Sequence, residues 1–128
     1  MQILVADDER INQLFMEHLF AGTGHVVVRA ANGGEAIAAL RGGEIGLVLM
    51  DVSMPVLDGM EATRRIRGGE AGPESVDVPI VIMTAYVDEE EHERFMAAGA
   101  DGVLTKPVGR AALAELVERY SADGRRSR

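Results

Sequence analysis

The chain has 128 residues, 47 % of them hydrophobic, which suits one folded domain with a sizeable core. Its formal charge of -8, from 21 acidic against 13 basic side chains, argues against non-specific binding of nucleic acid or an anionic membrane surface by this domain. Cysteine is absent, which excludes disulfides and thiolate metal sites. No apolar run approaches the roughly 20 residues of a membrane span, and residues 1–6 are too short for a signal-peptide core, so a cytoplasmic domain is expected.

In chain order, residues 3–6 form an apolar run that ends at Asp7-Asp8-Glu9. A helix is expected next, because Ile11, Leu14, Phe15 and Leu19 recur at i, i+3, i+4 and i+8 and make one apolar face. Gly22 and Gly24 stop it. Residues 25–30 are short and β-branched, a second strand, and Asn32-Gly33-Gly34 turns the chain. A short helix over residues 35–40 closes at Gly42-Gly43. Leu47-Val48-Leu49-Met50 then runs straight into Asp51, the pattern of a strand buried on both faces. Ser53-Met54-Pro55 and Asp58-Gly59 supply turn chemistry.

Residues 59–67 read as a helix, with Met60, Thr63 and Ile66 three apart. Residues 68–79 hold three glycines and two prolines and form the longest expected loop. The fourth strand, residues 79–83, ends at Thr84-Ala85. Residues 88–98 form a helix whose acidic first turn suits its dipole. The fifth strand, residues 102–105, ends at Lys106-Pro107. Residues 110–120 close the domain as a helix with Leu113, Leu116 and Val117 on one face. Residues 121–128 carry three arginines and no apolar anchor, and read as a basic, disordered tail outside a domain of residues 1–120.

Five strands alternating with five helices give an α/β fold, a doubly wound parallel sheet with helices on both sides. In such a sheet the strand ends share one edge, and ligands bind in the crevice there. Asp7 and Asp8 end strand one, Asp51 strand three, Thr84 strand four and Lys106 strand five. If strands one and three are neighbours, the crevice collects three carboxylates, a hydroxyl and an ammonium. Clustered carboxylates need a counter-charge, and a hard divalent cation such as magnesium takes oxygen ligands while leaving room for a phosphate. His18, His25 and His92 fall away from strand ends and read as surface or partly buried residues. A carboxylate beside magnesium can act as a nucleophile toward phosphorus and form an aspartyl phosphate. Lys106 and the Thr84 hydroxyl would then meet the phosphoryl oxygens.

These residues resemble the receiver domain of two-component response regulators, from Ile3 to Tyr120. The motifs are Asp7-Asp8, Met50-Asp51-Val52-Ser53-Met54-Pro55 with Asp58-Gly59, Thr84-Ala85, and Lys106-Pro107. The resemblance implies a flavodoxin-like five-stranded sheet in the order 2-1-3-4-5. It implies that Asp51 is the phosphoacceptor, and that Asp8, Asp51 and the Ser53 carbonyl ligate magnesium, with Asp7 acting through water. Thr84 and Lys106 would contact the phosphoryl group. The donor would be a phosphohistidine on a histidine kinase or a histidine phosphotransfer domain. The domain would be a signalling phosphoacceptor that promotes its own phosphotransfer and autodephosphorylation, not an enzyme acting on a separate substrate. Asp7-Asp8-Glu9-Arg10-Ile11-Asn12 and residues 61–67 resemble receivers of hybrid histidine kinases and phosphorelays.

One position departs from the family. An aromatic residue usually stands three before the lysine as a rotameric switch, and here that residue is Val103. This implies a muted response on the fourth-helix and fifth-strand face, a relay role, and no favoured phosphorylation-linked dimer; Tyr86 is the alternative carrier of the change. A haloacid-dehalogenase-like phosphatase would want a second aspartate where Ser53 stands. A dinucleotide site would want glycines where Asp7-Asp8-Glu9-Arg10 stands. A receiver-like scaffold working without phosphorylation is disfavoured by the full acidic set with Thr84 and Lys106.

Overall fold

In a computed structural model, which describes residues 1–123, five parallel strands form one sheet in the order β2-β1-β3-β4-β5. The strands are β1 (Gln2–Ala6), β2 (Val26–Ala30), β3 (Ile45–Asp51), β4 (Ile80–Thr84) and β5 (Gly102–Thr105). The helices are α1 (Arg10–Phe20), α2 (Gly33–Leu40), α3 (Gly59–Arg67), α4 (Glu89–Ala98) and α5 (Arg110–Asp123). The flavodoxin-like architecture and strand order expected from the sequence are those observed.

The central strands alternate between two cores, as a pleat requires. Leu4, Val48, Met50, Ile80 and Ile82 face Ala36, Ile37, Leu40, Ala62, Ile66 and Phe95, so α2, α3 and α4 cover one side. Ile3, Val5, Leu47, Leu49, Val81 and Met83 face Met16, Leu19, Phe20, Leu113, Val117 and Tyr120, so α1 and α5 cover the other. Burial on both faces explains why the strands read as unbroken apolar runs. Three helices start on side-chain caps: Asn32, Asp58 and Asp88 accept from the backbone N–H of Glu35, Glu61 and Glu91 at 2.9, 2.8 and 2.8 Å.

The apolar set on α1 divides in a way periodicity does not anticipate. Leu19 is buried, but Ile11, Leu14 and Phe15 are 78, 46 and 45 % exposed. The residues of α1 that turn inward are Gln13, Met16, Leu19 and Phe20. The Gln13 amide donates to two carbonyls at the ends of β1 and β2, so the side of α1 that buries Met16, Leu19 and Phe20 also buries this polar group, and the apolar side chains of the first two turns lie outward.

The loop after α3 is also more ordered than its composition implies. It contains a 3₁₀ turn at Pro73–Ser75, and the buried Ser75 hydroxyl donates to the Leu40 carbonyl at 3.1 Å. Arg67 donates from Nε to Gly99 O at 2.9 Å and from Nη1 to Val76 O and Val78 O at 2.8 and 2.7 Å. Its Nη2 meets Asp101 Oδ2 at 2.8 Å, and the same oxygen accepts from Ile80 N at 2.9 Å. One guanidinium thus binds the long loop, the entry to β4 and the connection from α4 to β5. The helix α5 continues three residues past Tyr120 to Asp123; the rest of the expected tail lies outside the described residues.

Arg67→Met should remove the guanidinium from Asp101 and from the carbonyls of Val76, Val78 and Gly99 at once. The expected loss is about 3 kcal/mol of unfolding free energy, measured by urea denaturation, because breaking a nearly buried, hydrogen-bonded ion pair by removing one partner is strongly destabilising.

Candidate functional site

Strand register assembles the site. Ala6 pairs with Met50, so Asp7, the next residue, lies beside Asp51 at the end of β3. Asp51 itself pairs with Met83, which puts Thr84 one residue further along the neighbouring strand. Thr84 pairs with Thr105, and Lys106 follows at once. Parallel pairing therefore delivers all of these polar residues to one edge of the sheet, beyond four strands whose interiors are apolar.

Asp7, Asp8 and Asp51 each bring a carboxylate oxygen to within 4.8 Å of the others. Asp7 and Asp51 are buried, while Asp8 is exposed. Lys106 Nζ lies 3.2 Å from Asp51 Oδ2 and 3.4 Å from Asp7 Oδ2, and so bridges the two buried acids. Burial pushes the Asp51 carboxyl above its ordinary value; Lys106 pulls it back, Asp7 pushes further, and the upward effects win. Burial alone would lower the Lys106 ammonium, but Asp51 and Asp7 together outweigh it and hold that group above its usual range.

The surroundings fix these groups in place. Asp7 Oδ1 accepts from Glu9 N at 2.9 Å and lies 3.5 Å from Asn12 Nδ2. Gly59 N donates to Val52 O at 3.1 Å, and a side chain on Gly59 would run into the Asp51 backbone, so only glycine lets α3 begin this close to the acid. Between them, Leu57 N donates to Pro55 O at 2.7 Å around Val56, which has φ of 67° and is 88 % exposed. A tight turn with positive φ at a β-branched residue is strained backbone. Thr84 Oγ1 donates to the Tyr86 carbonyl at 3.0 Å. Val103 is half-buried, pairs with Ile82 and packs against the core on the α3 and α4 side, as does Val87.

The cleft above the acids is lined by Asp8, Glu9, Asp51, Val52, Ser53, Thr84, Ala85, Tyr86, Glu91 and Lys106. It unites every site residue expected from the sequence apart from Asp7, which joins through the acid cluster and Lys106. A donor set made of carboxylates alone fits a hard cation of the magnesium or calcium kind. His18 and His92 are exposed on helices, and His25 packs edge-on against Phe20 with ring centroids 6.3 Å apart, away from the cleft. Sequence reasoning missed Gln13 and the strained Val56, and gave Asn12 only as part of a motif, without its contact to Asp7. Beside the cleft lies a second groove of about 260 Å³, lined by Asp7, Asn12, Phe15, Met16, Met83, Lys106, Pro107 and Val108.

Comparison with known proteins gives one consistent result. The family model described as response regulator receiver domain matches residues 3–118. The chain is 36 % identical over 120 residues to the sensor protein GacS of Pseudomonas syringae pv. syringae, covering 94 % of this chain and 13 % of that protein. It is 33 % identical to an uncharacterized 14.6 kDa protein of Leptolyngbya boryana, covering 94 % of this chain and 89 % of that one. The chain thus spans about an eighth of the sensor kinases that it matches. Among solved structures, the receiver domain of a Pseudomonas aeruginosa PAO1 sensor histidine kinase, with a magnesium ion coordinated in its active site cleft, superposes with a TM-score of 0.84 at 33 % identity, covering 94 % of this chain and 97 % of that one. A chain in the co-crystal of the Saccharomyces cerevisiae histidine phosphotransfer protein Ypd1 with the receiver domain of its response regulator Ssk1 gives 0.86 at 28 %, covering 95 % and 89 %.

The buried acid yields a stability test. Asp51 holds its proton more tightly in the folded than in the unfolded chain, so its ionisation removes stability as pH rises through its raised folded value. In the presence of EDTA, Asp51→Asn should match the wild type in acid, where both groups are neutral. It should become the more stable protein as pH climbs to neutrality. Chemical denaturation across a pH series measures the difference; a wild type that stays the more stable at neutral pH would show that the Lys106 pair outweighs burial.

Proposed function

The chain belongs to the response regulator receiver domain family and is a signalling phosphoacceptor of the two-component and phosphorelay kind; from that premise we propose that Asp51 carries the phosphoryl group. The observation that supports this most directly is the position of Asp51: a buried carboxylate at a strand end, bonded to Lys106 at 3.2 Å and within 4.8 Å of two further acids.

A phosphoryl group would pass from an imidazole nitrogen of the donor to an Asp51 oxygen, so that a P–N bond breaks and a P–O bond forms. Transfers of this kind ask the protein for positioning and charge neutralisation. Asp8 and Asp51, with the Ser53 carbonyl, would hold magnesium directly, and Asp7 through water. When bound, magnesium supplies positive charge against the phosphoryl oxygens. Lys106 already sits between Asp7 and Asp51 and needs only to turn toward the new group. The Thr84 hydroxyl would exchange the Tyr86 carbonyl for a phosphoryl oxygen. The same groups would hold the acyl phosphate for attack by water, which is autodephosphorylation. We place this chemistry in the cytoplasm; among the described residues no helix is long and apolar enough to cross a membrane.

The donor we infer is a phosphohistidine carried on a histidine kinase or a helical phosphotransfer domain. Ile11, Leu14 and Phe15 form an exposed apolar face on the helix that starts at the acid cluster, and Phe15 shares a groove with Lys106. Such a face beside a polar cleft suits docking of an amphipathic helix surface. Val103 has no ring to swing, so transmission through β5 is expected to be weak, and relay fits the domain better than dimer-forming output.

Acetyl phosphate with magnesium should label the wild type with an acid-stable, base-labile phosphate. Asp51→Asn should take up none, and wild-type labelling of that variant would move the acceptor elsewhere. Lys106→Ala should retain magnesium-dependent thermal stabilisation but lose most of the labelling. A separate comparison tests the donor face. Phe15→Ala should slow transfer from a phosphorylated histidine domain about tenfold, the effect of losing one buried anchor, while labelling by acetyl phosphate is unchanged. Equal slowing with both donors would assign Phe15 to the chemistry rather than to docking.

A further inference from the structure

On the reading that the acid cluster holds a divalent cation, we propose that Gln13 is a positioning residue for that cluster, fixing the peptide that joins Asp7 to Asp8. Gln13 occupies a core-facing slot of α1 and is only 7 % exposed. Its Nε2 donates to Asp7 O at 2.7 Å and reaches Ala30 O at 3.3 Å. Asp7 N also donates to Ala30 O, at 3.0 Å. One amide therefore gathers the last carbonyl of β2 and the first carbonyl beyond β1.

The location matters because β1 ends at Ala6. Beyond the Asp7 N–H, which still bonds to Ala30 O, the ladder no longer fixes the chain, yet this is where the two acids must be aimed. The Asp7 carbonyl belongs to the peptide plane whose nitrogen is that of Asp8. Holding that oxygen sets the plane, and the plane sets the directions in which both carboxylates leave the backbone. Asn12 works from the other side, on the side chains: its Nδ2 lies 3.0 Å from Glu9 Oε1 and 3.5 Å from Asp7 Oδ1. Asp7 is thus held at its carboxylate and at its carbonyl by consecutive residues of α1.

A core filler alone does not account for the glutamine. The slot lies on the same buried side of α1 as Met16 and Phe20, where leucine or methionine would bury apolar area without desolvating an amide. The amide is matched to carbonyls at the acid turn, and groups that orient metal ligands in this way typically govern affinity by tenfold or more when removed.

The test compares three variants of the full chain by amide NMR titration with magnesium, alongside thermal unfolding in EDTA. Gln13→Met fills the slot without a donor, and Gln13→Asn keeps an amide but withdraws it by one methylene. Ser75→Ala is the control: it also removes a buried hydrogen bond to a carbonyl, but in the turn that precedes β4, at the opposite end of the sheet. Both Gln13 variants should weaken magnesium binding about tenfold. Ser75→Ala should lower the melting temperature and leave magnesium affinity within about twofold, because general loosening does not reach the acid turn. Should Gln13→Met fail to fold, Gln13→Asn decides. Wild-type affinity in the folded Gln13 variants overturns the proposal, as does equal weakening in Ser75→Ala. A wild type without saturable magnesium uptake overturns the cation reading itself, and the two failures are thereby distinguishable.

Discussion

Three carboxylates within 4.8 Å of one another are an electrostatic liability, and much of this fold is arranged around bearing it. A parallel sheet has no freedom to scatter them, because every strand that ends in a polar residue ends at the same edge. Among the described residues, the cation that relieves them is the Lys106 ammonium. Lys106 follows β5 and reaches past β4, its neighbour in the sheet, to Asp51 on β3 and Asp7 beyond β1. The balance is incomplete, since burial still leaves Asp51 harder to ionise than an ordinary aspartate. Incomplete compensation is what a site for a cation and an incoming phosphoryl group needs. A fully satisfied cluster would gain little from binding either.

The elements that deliver these residues were legible because their signal is local. Each strand is a short apolar run closed by a polar residue, and both faces are covered, so burial and sequence hydrophobicity coincide. The site was legible for the same reason: its members stand at strand ends, and strand ends can be found without knowing any contact. What periodicity could not give was the orientation of α1. Ile11, Leu14 and Phe15 satisfy a helical repeat, but the helix turns on Gln13, whose partners are backbone carbonyls of Asp7 and Ala30. Hydrophobic pattern is silent about a polar residue that is buried because it is bonded. The available hint was the pair Asn12-Gln13, separated by two residues from the acidic run Asp7-Asp8-Glu9.

The long loop after α3 illustrates a related limit. Glycine and proline correctly mark residues 68–79 as irregular, yet irregular backbone still has to place its polar groups. Here the carbonyls of Val76 and Val78 find Arg67, and Leu40 O finds Ser75. Those bonds span up to 35 residues of sequence, so composition cannot register them. The effect is to divide the molecule into two ends. The end where β4 and β5 begin is clamped by one nearly buried guanidinium, while the end where they finish carries a strained turn at Val56 and an exposed Tyr86.

That division bears on where a signal can travel. The Thr84 hydroxyl has a single proton, and it is committed to the Tyr86 carbonyl. Any oxygen arriving at Asp51 that takes this proton leaves Tyr86 O without its donor, and residues 85–88 lie between β4 and α4 with no ladder to restrain them. Further propagation through β5 would require a side chain there that differs between the two arrangements. Val103 is half-buried and β-branched, packed in the same core as Val87, with no polar tip and one dominant rotatable bond. A ligand shifts an equilibrium only through contacts that differ between the states. On the proposed reading, the contacts that would differ are those of Lys106, Thr84, Tyr86 and the neighbouring backbone, so the consequence of occupying Asp51 would be concentrated at the mouth of the cleft, on the same side of the molecule as the exposed apolar face of α1.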